Sequence, residues 1–159
     1  MITQKTLKEW VNYYPLSGNF YWLKGKNIHK MAGSKNSQGY YKIRICGSLI
    51  PAHKLAWLYV TGKWPTNEID HKDCDPSNNC FDNLREATHA ENCRNRRKRS
   101  DLTSRFKGVS WKKRNKKWCA QIKTSGKVYH LGLFHTEELA HQSYQSKAIQ
   151  LFKEFARLV

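Results

Sequence analysis

The sequence predicts an α+β fold. A small β-rich N-terminal region leads into a strand, loop, strand and helix, and a three-stranded sheet packed on one helix follows. Three observations carry this prediction. Short apolar–polar alternations between turn-rich segments are typical of strands. A capping box precedes one helix in the middle of the chain, and an apolar stripe at helical spacing lies near the C-terminus.

The N-terminal region contains two predicted strands and one helix. Residues 18–22 follow a turn, and residues 40–45 alternate apolar and charged side chains. Residues 52–61 place Leu55, Trp57 and Leu58 at helical spacing, and Gly62 is a natural helix stop.

The middle of the chain is predicted to form a strand, a loop, a second strand and a helix, in that order. Residues 68–70 and 84–87 suit short strands, and the Asp-, Asn-, Pro- and Ser-rich residues between them form a loop. Thr88 and Glu91 form a capping box, so a helix should run from residue 89 to about residue 98.

The last third predicts three strands and a long helix. The strands are expected at residues 106–109, 118–123 and 128–133, and Thr136 should cap the helix. Ala140, Tyr144, Ala148 and Leu151 form its core-facing stripe. The charged stretch before this block contains the predicted linker, residues 100–104, which separates domains at 1–99 and 105–159.

Charge predicts a polyanionic partner. The net charge is +17, and the stretch from Arg94 to Lys127 has a single acidic residue, Asp101, with Trp111 and Trp118 interleaved. Nucleic acid is the expected partner. No apolar run could span a bilayer and no secretory signal is present, so no membrane association and a cytoplasmic location are expected.

The five cysteines predict reduced thiols. Their number is odd and no CxxC pair occurs, so a disulfide framework is not expected. A zinc site built from Cys74, Cys80, Cys93 and a histidine is the alternative, although the spacing lacks the paired ligands that structural zinc uses.

The segment IDHKDCDPSNNCFDNLREATHAEN holds the candidate chemistry. Asp70 is a hard oxygen ligand for Mg²⁺, and the amide oxygen of Asn92, early in the following helix, could be a second. His71 points the opposite way along an extended chain and is a candidate general base. Asn83 would tie down the loop or orient the histidine.

This segment resembles the HNH, or ββα-metal, nucleases, and most closely the phage intron-encoded homing endonucleases with Asn at the third motif position. The resemblance implies a ββα-metal core at residues 64–98, with Asp70 and Asn92 binding Mg²⁺ or Mn²⁺, His71 as base and Asn83 as the structural second member. It also implies 5′-phosphate and 3′-hydroxyl products. A phage-encoded protein would act in the host cytoplasm.

Residues 105–159 resemble the AP2/ERF DNA-binding domain, through motifs such as Phe106-Lys107-Gly108-Val109-Ser110-Trp111 and Glu137-Glu138-Leu139-Ala140. This resemblance implies that a sheet reads the major groove of double-stranded DNA. The matching contact positions are Lys107, Ser110, Lys112, Gln121, Lys123 and His130. The remaining predicted DNA contacts are Arg94, Arg96, Arg97, Trp111, Lys113, Arg114 and Lys117.

The resulting prediction is a two-domain HNH DNA endonuclease, of the homing or free-standing type. A monomer would nick one strand, and cutting both would need a homodimer or a second encounter. One alternative is a non-enzymatic DNA-binding regulator with a degenerate nuclease domain. Another is an RNA-binding protein, but the sequence lacks the aromatic platforms or GXXG loop of single-strand RNA modules.

Overall fold

The computed structural model describes residues 2–95 and 103–156. The chain divides into two compact units, Met1–Asn92 and Cys93–Val159. The predicted linker at residues 100–104 lies mostly outside the described residues. Within those residues, no helix is long and apolar enough to cross a bilayer.

The N-terminal unit begins with a helix and a strand that no sequence pattern predicted. Helix α1 (Gln4–Trp10) is capped by the Thr3 hydroxyl, which accepts from the Thr6 N–H, and it runs directly into strand β1 (Val11–Tyr14). Strand β1 pairs antiparallel with β2 (Asn19–Trp22), the strand predicted at residues 18–22.

The N-terminal unit also contains a second small sheet and a helix. The sheet is formed by β3 (Ser34–Lys35), β4 (Tyr41–Ile45) and β5 (Ser48–Pro51), in that order. Helix α2 (Ala52–Thr61) follows at once and ends at Gly62, as predicted. Gly62 has φ +76° and donates its N–H to the Leu58 carbonyl, a left-handed cap that favours glycine.

The core of this unit draws on residues from α1 to the last strand before the third helix. Its most buried members include Leu7, Ile43, Leu55 and Leu84. A single core therefore holds the helix α1, the second sheet, α2 and the strands of the candidate site together.

The middle of the chain has the predicted order of strand, loop, strand and helix. Strand β6 (Glu68–His71) pairs antiparallel with β7 (Leu84–Ala87), and α3 (His89–Asn95) follows. The predicted continuation of α3 to residue 98 lies outside the described residues.

The second unit is a three-stranded antiparallel sheet with a helix on one face. The strands β8 (Val109–Lys112), β9 (Lys117–Thr124) and β10 (Lys127–Phe134) lie in the order β10-β9-β8. Helix α4 (Glu137–Phe152) is capped by Thr136, as predicted, and buries Ala140 against Val109 and Ala120.

Two details of this unit correct the sequence prediction. The first strand begins at Val109 and not at residue 106, because Gly108 turns the chain with φ +71° and lies against the Tyr144 ring. The predicted stripe on α4 also ends differently: Leu151 is 38% exposed, whereas Phe152 is buried. The helix has turned far enough by its last residue to bring the next side chain to the sheet.

Candidate functional site

Strand β6 presents Asp70 and His71 on its two opposite faces. Both side chains are buried, although a carboxylate is usually exposed. Asp70 lies opposite Arg85 in the register, and its Oδ2 accepts from Arg85 Nε at 2.9 Å and lies 2.8 Å from Nη2. The site thus contains a buried ion pair that the sequence did not signal locally, because Arg85 meets Asp70 only through the strand register.

The imidazole of His71 sits among aromatic rings. Its ring centroid is 5.2 Å from that of His53 and 5.9 Å from that of Tyr40, both in edge-to-face geometry. Its Nε2 lies 3.5 Å from Asn79 Oδ1. Burial lowers the pKa of His71 below its ordinary value and lowers that of His53 to about 3. Both rings are therefore neutral near pH 7, and a neutral imidazole at His71 can accept a proton.

Asn83 fastens the loop between β6 and β7. Its Nδ2 donates to Asp73 Oδ1 at 3.0 Å and to the Asn78 carbonyl at 2.9 Å, and its Oδ1 accepts from the Asp73 N–H at 3.1 Å. Burial raises the pKa of Asp73, but hydrogen bonds from the Asp75 N–H and the two asparagines outweigh it and keep this pKa low. The loop that follows His71 is held by an ionised carboxylate and its amide partners.

Strand β1 and the turn that follows it anchor the far end of the same loop. The Tyr13 hydroxyl donates to the Asn79 carbonyl at 2.7 Å, and the Phe81 N–H donates to the Pro15 carbonyl at 2.9 Å. Gly18 has φ +73°, and a Cβ on it would lie 2.4 Å from the Asn79 carbonyl carbon. Only glycine permits this close approach of the two backbones.

Helix α3 brings Asn92 to the β6 face that carries Asp70. The capping box forms as predicted: the Thr88 N–H donates to Glu91 Oε2 at 2.8 Å and the Glu91 N–H to Thr88 Oγ1 at 3.3 Å. Asn92 donates from Nδ2 to Glu68 Oε2 at 2.5 Å. Glu68 precedes Asp70 by two residues, so the two carboxylates share one face of the strand.

Glu68 was not among the predicted site residues. Its second oxygen, Oε1, lies 2.9 Å from His89 Nδ1. Hydrogen bonds from Asn92 and then His89 lower the pKa of Glu68, which keeps it ionised. Strand alternation alone could have identified it, since a residue two before Asp70 must point the same way.

The oxygen atoms of Asp70 and Asn92 are donors of the kind that a hard divalent cation prefers. Asp70 supplies a carboxylate. Asn92 turns its NH₂ group to Glu68, so its amide oxygen could be a second ligand. Oxygen donors of this kind suit Mg²⁺, which retains water ligands. Across residues 2–95 and 103–156, no group of three or more His, Cys, Asp or Glu is placed to hold a metal, and the five cysteines form no disulfide.

A second candidate surface lies on the sheet of the C-terminal unit, on the face opposite α4. Strand alternation and register put the following predicted DNA contacts on this one face: Ser110, Lys112, Lys117, Gln121, Lys123 and His130. His130 stands directly opposite Gln121. The structure does not bring Trp111 to this face, because it lies on the other side of the sheet with its ring 5.1 Å from that of Trp118.

The remaining predicted contacts lie in turns or outside the described residues. Lys113 and Arg114 occupy the turn between β8 and β9. Lys107 lies in the turn before β8 and donates to the Arg94 carbonyl, and the Arg94 guanidinium stacks 4.8 Å from the centre of the Phe152 ring. Arg96 and Arg97 lie outside the described residues.

Comparison with known proteins identifies the region around the site. Residues 51–94 match the family described as HNH endonuclease. Over 106 residues, the chain is 32% identical to Protein 3.8 of Escherichia phage T7, a match that spans 66% of this chain and 87% of that protein. No solved structure matches the chain.

Proposed function

The chain belongs to the same protein family as Protein 3.8 of Escherichia phage T7 and carries an HNH endonuclease domain, and from this premise we propose that it is a metal-dependent endonuclease of double-stranded DNA. One observation carries the proposal. A buried carboxylate and a neutral, buried imidazole belong to consecutive residues of one short strand, and a helix-borne amide lies on the carboxylate's face.

Asp70 and Asn92 would hold the metal, Mg²⁺ or Mn²⁺, through one carboxylate and one amide oxygen. When bound, such an ion stabilises charge on the scissile phosphate and on the departing 3′ oxygen. The guanidinium of Arg85, bonded to Asp70, adds a fixed positive charge at the same place and would offset part of the negative charge there.

His71 would be the general base. Its imidazole is kept neutral by burial and held by the His53 and Tyr40 rings, so it can take a proton from the attacking water without first losing one. Attack by this water with departure of the 3′ oxygen leaves 5′-phosphate and 3′-hydroxyl ends. Asn83 has no chemical step and serves by fastening the loop.

The C-terminal sheet would hold the duplex. The face of Ser110, Lys112, Lys117, Gln121, Lys123 and His130 presents cations and hydrogen-bonding groups on a three-stranded antiparallel sheet, which suits major-groove binding of the AP2/ERF type. The lysines contact phosphates, and Gln121 and His130 can reach base edges. We further propose a homing-type, phage-encoded enzyme whose monomer nicks one strand.

Plasmid cleavage tests the enzyme. Supercoiled DNA is incubated with the wild type, with His71→Ala and with the matched control His135→Ala, an exposed histidine in the turn before α4. The wild type and His135→Ala should nick the plasmid in Mg²⁺ and not in EDTA, and His71→Ala should bind DNA without nicking it.

The outcomes separate the rival functions. Tight binding without cutting by the wild type, across many DNA substrates, would identify a DNA-binding regulator with a degenerate nuclease domain. Equal nicking by His71→Ala would exclude His71 as the base. A linear first product, and not a nicked circle, would contradict the one-strand proposal.

A further inference from the structure

The Glu68 carboxylate connects β6 to two residues of α3. Its Oε2 accepts from Asn92 Nδ2 at 2.5 Å, and its Oε1 lies 2.9 Å from His89 Nδ1. His89 and Asn92 are three residues apart on the helix and therefore share one face. Both carboxylate oxygens of Glu68 are thus used to hold this face of α3 over the strand that carries Asp70.

A side-chain amide can bind a cation in only one of its two orientations. Its oxygen is a ligand, whereas its NH₂ is a donor that repels a cation. An ionised carboxylate accepts hydrogen bonds and donates none, so it selects the orientation in which the NH₂ faces it. At Asn92 this choice turns Nδ2 to Glu68 and leaves Oδ1 to bind elsewhere.

We propose that Glu68 is a positioning residue for the metal, which acts by fixing the amide of Asn92 with its oxygen toward the ion held by Asp70. The inference rests on the proposed function, because Asn92 must be a ligand. It assigns to Glu68 an outer role and not coordination, since each of its oxygens already has a partner on α3. Partners of this outer kind orient ligands in metal sites generally.

The first test measures metal affinity without DNA or turnover. Mn²⁺ is titrated into ¹⁵N-labelled full-length protein, and the broadening of the Asp70 and Asn92 amide signals gives the dissociation constant. Glu68→Met removes both carboxylate oxygens, so the Asn92 NH₂ loses its acceptor, and the dissociation constant should rise by about 10- to 100-fold. Glu68→Gln keeps one acceptor oxygen and should fall between Glu68→Met and the wild type.

Glu86→Gln is the matched control. Glu86 is the cross-strand partner of Ile69, so it lies on the other face of the same two strands, and its Oε1 accepts from the Thr66 N–H at 2.6 Å. It removes one negative charge close to the site without touching Asn92. If Glu86→Gln and Glu68→Gln both weaken Mn²⁺ binding as much as Glu68→Met, general charge explains the effect and the proposal is overturned.

The second test repeats Glu68→Met in an Asn92→Asp background. A carboxylate has two equivalent oxygens and needs no orienting partner, and Glu68 would repel it. Removing Glu68 should therefore leave Mn²⁺ affinity unchanged or tighten it in this background. Equal weakening in both backgrounds would show that Glu68 binds the ion itself and would overturn the positioning role.

The two levels of failure are distinguishable. Wild-type signals that Mn²⁺ never broadens at Asp70 and Asn92 would overturn the metal site and this inference together. Broadening that Glu68→Met leaves unchanged would overturn only the role of Glu68. Glu68 is an exposed strand residue, and circular dichroism of each variant confirms that folding is retained.

Discussion

Replacement of Arg85 by methionine should strongly destabilise the metal-free protein. The Asp70 and Arg85 side chains are only 5% and 12% exposed, and two guanidinium nitrogens lie within 2.9 Å of one carboxylate oxygen. Loss of one partner from a buried pair typically costs about 3–5 kcal/mol, because the other charge is left in a poorly solvated place. That is a large part of the roughly 5–15 kcal/mol by which domains are stable.

A double variant separates charge from packing. Asp70→Asn combined with Arg85→Met removes both charges and retains side chains of similar size. Replacement of a buried ion pair by neutral groups is often close to neutral in stability, so most of the loss in Arg85→Met should be recovered. The coupling between the two substitutions should therefore be about 2–3 kcal/mol and favourable.

Urea denaturation in EDTA measures these free energies. The amide signals of β6 and β7 should be followed by NMR, since they report the N-terminal unit without contributions from the other unit. A cost below about 1 kcal/mol for Arg85→Met would show that the pair behaves as a solvent-screened surface pair. A double variant as unstable as Arg85→Met would show that the arginine matters through its packing and not through its charge.

Three further predictions concern other parts of the chain. His53 has a pKa of about 3 in the folded protein, against an ordinary value of 6.5. As the pH falls from 6.5 to about 3, the unfolded chain therefore binds a proton at His53 before the folded protein does, which lowers the free energy of unfolding. His53→Phe should reduce this fall by up to about 1.4 kcal/mol per pH unit, as measured by urea titrations at several pH values. Lys123→Gln should reduce the slope of log binding constant against log salt concentration by about one, the amount expected for one lost phosphate contact. Lys147→Gln on α4 should leave this slope unchanged, and filter binding at several salt concentrations measures both. Gly108→Ala should destabilise the C-terminal unit by more than about 1 kcal/mol, because the alanine Cβ would lie 2.2 Å from the Tyr144 ring. Thermal melts measure this change, and an unchanged melting temperature would contradict the positive φ of Gly108.

The order of elements around the site was predictable because its signals are local. The capping box of Thr88 and Glu91, the glycine stop at Gly62 and the turn-rich loop each act within a few residues. The structure has these elements at the predicted places. Helix α1 was not predicted. It buries Leu7 in a core whose other members come from distant segments of the chain.

The partners inside the site were less predictable because they depend on pairing between strands. Asp70 meets Arg85 only in one register, and Asn92 meets Glu68 only when α3 folds back over β6. A shift of one residue in the register would move every side chain to the other face. The roles of Asp70, His71, Asn83 and Asn92 remain predictions that the experiments above test.

The bonds that join strand β1 and the β1–β2 turn to the loop after His71 limit how this chain can be divided. Residues 51–94 match the HNH endonuclease family, yet the loop within them is held by hydrogen bonds to Tyr13 and Pro15. The close approach of the backbone at position 18 to this loop requires glycine. Recombination at residue 50 would separate the loop from its anchor and cut through a shared core. The smallest piece that can be exchanged between relatives therefore begins near the N-terminus of the chain.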